Sequence, residues 1–97
     1  MTQELQELLR EVIVQNEKGN DAFFNYSGHV DVVSVYVHNG SYANEDKLPV
    51  VSSTIHLSGV LKYDLTVKEL IEFVKNVPVT EESLINMETK RNYLLTV

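Results

Sequence analysis

Three histidines, His29, His38 and His56, are the residues of this chain whose chemistry first draws notice, because a neutral imidazole is the commonest metal ligand. Their spacing matches no compact metal signature, and no carboxylate is placed to orient them, so a metal site is not expected. Serines are plentiful, yet none stands in a Gly-x-Ser-x-Gly elbow, and neither a P-loop nor a dinucleotide glycine fingerprint occurs. The absence of cysteine removes thiolate metal ligands, Cys/His catalytic pairs and disulfides together. Asp and Glu number 14, but nothing in their spacing selects a pair for acid–base work. The residues therefore read as those of a non-enzyme with no cofactor.

Charge narrows the partners. A net charge of −6 argues against direct binding to nucleic acid, which is driven by Lys and Arg displacing counterions from phosphates. The acidity either keeps a small protein soluble or faces a basic partner, and Glu4, Glu7 and Glu11 form the ridge that could do the latter. No apolar run approaches the ~20 residues that span a bilayer, and the start of the chain lacks the basic and apolar regions of a signal peptide. A cytoplasmic protein of one domain, residues 1–97, is the expectation.

The elements that must position any site follow from periodicity. Leu5, Leu8, Leu9, Val12 and Ile13 recur at helical spacing, predicting an amphipathic helix over Thr2–Glu17 that Gly19 can stop. Ala22–Ser27 reads as a first strand, and Gly28-His29 as a tight turn into a second strand over Val30–His38. That turn would set Tyr26 opposite Asp31, Phe24 opposite Val33 and Ala22 opposite Val35. A polar loop from Asn39 to Lys47 leads to a third strand, Val50–Ser58, with Pro49 at its start. Pairing His38 with Val50 brings Val37 beside Val51, Val35 beside Ser53 and Val33 beside Ile55.

Val60–Leu65 reads as a connector. Thr66-Val67-Lys68-Glu69 is a capping box, with Leu65 and Leu70 as its hydrophobic staple. The helix it opens runs to about Val77, with Leu70, Ile71, Val74 and Phe73 inward, and Pro78 stops it. Thr80-Glu81-Glu82-Ser83 begins another helix, and 92–97 either finishes that helix or forms an edge strand. The fold class is α+β: a three-stranded antiparallel meander with helices on one face, in the order α-β-β-β-α-α. Val33, Val35, Val37, Phe24, Ile55, Leu9 and Leu70 are expected to share one core.

Parity then assigns Phe23, Asn25, Val32, Ser34, Tyr36, His38, Ser52, Thr54 and His56 to the opposite, open face. None is Lys, Arg, Asp or Glu. Interface cores are depleted in charge and enriched in Phe and Tyr, so these nine residues are the candidate contact surface. Its cover would be the C-terminal segment, a partner protein, or a second subunit in a homodimer centred on Tyr36 and Phe23; a small-molecule site is a further reading.

The helix–three strands–helix order of residues 2–77, with Gly28-His29 between the first strands, resembles the double-stranded-RNA-binding domain. That family meets phosphates with a basic cluster opening its last helix. Here Thr66-Val67-Lys68-Glu69-Leu70 sets one lysine beside a glutamate, so the likeness implies topology and not RNA binding. The phrase Phe23-Phe24-Asn25-Tyr26-Ser27-Gly28-His29-Val30, in a short acidic chain, is similar to small accessory proteins of Gram-positive phages and prophages. That resemblance implies a protein that binds and modulates a host or defence factor. The expected function is thus a small acidic protein-binding module; the alternatives are a nucleic-acid mimic acting through Glu4, Glu7 and Glu11 against a DNA-binding effector, and a small-molecule binder using the open face.

Overall fold

Valines alternate with polar residues along Val32–His38, and that period of two makes it the middle strand of an antiparallel sheet. The computed structural model describes residues 2–43, 48–57 and 66–96, without the side chains of Thr2 and 92–96. Its elements are α1 (Thr2–Glu17), β1 (Asp21–Ser27), β2 (Val32–His38), β3 (Val51–His56), α2 (Val67–Lys75) and α3 (Glu81–Thr96). The sheet order β1-β2-β3 and the α-β-β-β-α-α sequence make an α+β fold, as expected.

Between β2 and β3 the register is the expected one, with Val33 opposite Ile55, Val35 opposite Ser53 and Val37 opposite Val51. Between β1 and β2 it is shifted by two residues. Tyr26 faces Val33, Phe24 faces Val35 and Ala22 faces Val37, because the connection is the four-residue turn 28–31 and not Gly28-His29 alone. Asp31, at φ 54°, supplies the left-handed residue assigned to Gly28. Asp tolerates that conformation better than most residues, and here its carboxylate accepts the Tyr26 hydroxyl at 2.8 Å. A shift of two keeps side-chain parity, so the expected faces survive the different turn.

Val33, Val35 and Val37 are fully buried under α1 and α2, together with Leu8, Leu70 and Val74, while Phe24 packs at the margin of this core. The inward stripe of α1 is narrower than its apolar pattern. Leu8 is 0% exposed and Val12 is buried, but Leu9 is 41% and Ile13 50% exposed. Leu9 is therefore not a core residue. The fully buried Gln15 takes a core position instead, its Nε2 donating to the Val74 carbonyl at 2.8 Å. On α2, Leu70, Ile71 and Val74 turn inward and Phe73 turns out to solvent. Thr66 caps this helix, its Oγ1 accepting from the Glu69 N–H at 3.1 Å, and the helix ends at Lys75, with Asn76 as its C-cap. The connector 60–65 and the Leu65 staple lie outside the described residues.

The last segment is helical through Thr96, which excludes the edge strand. Its contact with the body inverts the usual pattern: Ser83 and Asn86 are buried, while Leu84, Ile85 and Met87 are exposed. Two glycines permit the approach. A Cβ at Gly19 would lie 2.0 Å from the Ser83 carbonyl oxygen, and one at Gly40 would lie 2.8 Å from that of Glu82. Among the described residues, no helix is long and apolar enough to cross a membrane.

Candidate functional site

Opposite the helices, the strands project Phe23, Asn25, Val32, Ser34, Tyr36, His38, Ser52, Thr54 and His56, the nine residues expected there. Cross-strand pairs build the surface: Phe23 faces Tyr36, which faces Ser52; Asn25 faces Ser34, which faces Thr54; Val32 faces His56. Phe23 is 43% and Tyr36 38% exposed, and Asn25, Ser52, Thr54 and His56 are open to solvent. Val32, Ser34 and His38 are half-buried, and among the described residues the face is open except at its His38 end, where Asp21 meets Asn86 and Lys90 of α3.

Ring contacts gather at its Phe23 end. The Phe23 ring stands edge-on to His38, with centroids 6.0 Å apart, and to Tyr42, 5.4 Å away. Tyr42 belongs to the loop after β2, where strand parity assigns no face, so sequence reasoning did not include it. Its backbone N–H is held by Asp21 Oδ2 at 3.0 Å. Asp21 Oδ1 accepts from Asn86 Nδ2 at 3.0 Å and from Lys90 Nζ at 2.6 Å, which ties α3 to this end of the sheet. Burial pushes the Asp21 carboxyl up, but the hydrogen bonds from Lys90, the Tyr42 N–H and Asn86 outweigh it and hold the group below the usual carboxylate range.

Behind Asp21 lies a buried polar cluster that hydropathy does not reveal. Asn20 Oδ1 accepts from the Gly40 N–H at 3.1 Å and from the Ser83 hydroxyl, while its Nδ2 donates to Gln15 Oε1 at 2.9 Å. Asn86 Nδ2 also donates to the Gly19 carbonyl at 2.8 Å. These contacts join α1, the loop after β2 and α3 at the point where the aromatic end of the open face begins. They position the site; they are not reactive groups.

The histidines are not brought together. His38 is level with Asp21 at one end of the sheet, and His56 is level with Val32 at the other, six positions along β2 and roughly 20 Å apart at ~3.3 Å per residue. His29 lies in the β1–β2 turn. Among the described residues, no three His, Asp or Glu side chains gather closely enough to hold a metal ion. A groove of about 220 Å³ beside His38, lined also by Asn39, Leu48 and Glu82, falls below the ~300 Å³ at which ligand pockets usually begin.

On α1, Glu7 is exposed and Glu4 and Glu11 are half-buried. Glu7 and Glu11 share a shallow polar groove with Arg10 and Lys75, so cations interrupt the acidic ridge. No family model, characterised protein or solved structure matches this chain.

Proposed function

We propose that this protein is a non-enzymatic binding module that presents its open sheet face to a protein partner, with Phe23 and Tyr36 as anchors. The observation that carries this reading is a sheet face whose nine expected residues bear no formal charge, which the described residues leave open beyond the Asp21–Lys90 pair at its His38 end, and whose Phe23 ring has two ring neighbours. A large side chain fixed before binding loses little entropy on association, which is the property of an interface hot spot. The class of partner implied by the accessory-protein resemblance is a host or defence factor, whose activity the module would alter by occupying its surface.

The test is capture of a partner from a host lysate on immobilised protein, followed by measurement of affinity with the purified partner. Phe23→Ala and Tyr36→Glu should each weaken binding at least about tenfold, while affinity changes little between low and high salt. Loss of binding on Glu7→Gln with Glu11→Gln, together with a steep salt dependence, would instead favour the acidic helix and sink the sheet-face reading.

A further inference from the structure

We infer that the free edge of β1 is a homodimer seam, on which a second copy adds its own β1 antiparallel to the first. This inference is independent of the open-face reading, since it uses the side of the sheet and leaves the face clear.

The starting point is Asn16. Its Nδ2 donates to the Ala22 carbonyl at 2.9 Å, and its Oδ1 accepts from the Ala22 N–H at 3.2 Å. Both backbone groups of Ala22 therefore point away from β2, toward the side chain of a helix residue. The ladder alternates with a period of two, so the N–H and C=O of Phe24 and Tyr26 point the same way. Asn16 seals the edge at Ala22, and no described residue bonds the outward groups of the other two.

Beyond the Asn16 seal and the charged Asp21 at its start, the edge lacks the usual protections. Natural edge strands carry lysine, proline or a bulge that discourages pairing, whereas β1 reads Asp-Ala-Phe-Phe-Asn-Tyr-Ser and runs in regular register along its whole length. Beside it lie the two residues of α1 whose exposure its apolar pattern does not explain. Leu9 and Ile13 are spaced i, i+4, and Asn16 follows Ile13 at i+3, so all three occupy one flank of the helix. Because Asn16 touches the edge at Ala22, that flank runs along β1 toward Phe24 and Tyr26.

These features choose both the occupant and the register. A two-fold axis through Asn25 sets Phe24 opposite the partner copy's Tyr26, and Tyr26 opposite its Phe24. Each pair exchanges both backbone hydrogen bonds, so the outward groups that Asn16 leaves open are matched by a second copy of the same strand. An axis through Phe24 would oppose Tyr26 to the already sealed Ala22. In the chosen register the partner copy's Phe24 and Tyr26 lie on the helix side, next to Leu9 and Ile13, and the two open faces join into one surface.

Sedimentation of the full chain at micromolar concentration should give a dimer. Tyr26→Pro removes an outward N–H that the internal ladder does not use, and should yield a monomer with an unchanged circular dichroism spectrum, whereas Tyr26→Phe stays dimeric. Leu9→Asp should raise the dissociation constant at least about tenfold. Should Tyr26→Pro fail to fold, the register is read by cross-linking instead. The natural chain has no cysteine, so Asn25→Cys on the axis should oxidise to a disulfide-linked dimer while Ser27→Cys does not. A wild-type monomer overturns the inference, as does a dimer that survives Tyr26→Pro and is broken by Tyr36→Glu. If instead the dimer forms as described and no partner binds the open face, only the proposed function fails.

Discussion

The carbonyl oxygen of Ser83 occupies the space where a side chain on Gly19 would begin, only 2.0 Å from the position of a Cβ. Gly19 also has φ +92°, a conformation that L side chains rarely adopt. Gly19→Ala therefore meets a backbone atom that cannot move aside without lifting α3. The expected cost is roughly 2–4 kcal/mol, from the left-handed backbone and overpacking together. In a domain of this size that lowers the melting temperature by about 10 °C or more. A shift below about 3 °C would show that α3 does not rest on Gly19.

Asp21 makes the acid limb of stability predictable. Its carboxyl is held below the ordinary range in the folded chain, so the unfolded chain binds its proton more readily. The stabilisation is complete above the unfolded value of ~3.9, and fades as pH falls through that value toward the lower folded one. Asp21→Asn should lower stability at pH 7 by roughly 1–3 kcal/mol, because Lys90 loses a charged partner and the Tyr42 N–H loses its carboxylate. The variant should also lose less stability than wild type between pH 5 and pH 3. Parallel melting curves against pH for the two proteins would contradict this account.

Sheet parity was legible because burying one face of β2 leaves the period-two pattern of Val33, Val35 and Val37 in the sequence. The β1–β2 turn was not, because glycine beside histidine suggests a two-residue turn, while the left-handed residue is Asp31. Register moved by two and every side chain kept its face. The docking of α3 was illegible for a different reason. Its buried residues are Ser83 and Asn86, polar positions whose partners Asn20 and Gly19 lie more than sixty residues away. A hydropathy argument turns such residues outward, and only the distant hydrogen bonds bring them in. Gly19 and Gly40 were the available signal, each marking a close backbone approach without naming what approaches.

Thr66 tests how much a nine-residue helix depends on its cap. An isolated helix of that length is unstable in water, and α2 is held by burying Val67, Leu70, Ile71 and Val74. Thr66→Ala removes the acceptor of the Glu69 N–H and should cost about 1 kcal/mol. Thr66→Ser and Thr66→Asp should restore most of it. Chemical denaturation of the set would refute the cap if alanine and serine were equally stable.

Leu8 and Leu9 are neighbours on α1 with opposite expected behaviour. Leu8 is 0% exposed within the cluster of Val12, Val35, Leu70 and Val74, so Leu8→Ala removes contacts and leaves a cavity, at roughly 2–5 kcal/mol. Leu9, at 41% exposed, has water already at its side, and Leu9→Ala should cost less than about 1 kcal/mol in a monomeric, dilute sample. If the β1 edge pairs with a second copy, the Leu9 variant carries a further signature. Its loss of stability should grow with protein concentration, because wild type gains stability from association and the variant gains less. The Leu8 deficit should instead persist at every concentration. Denaturant curves for both variants and wild type, recorded across a hundredfold range of protein, separate the two roles. Equal, concentration-independent losses would return Leu9 to the core and remove the apolar flank from the seam.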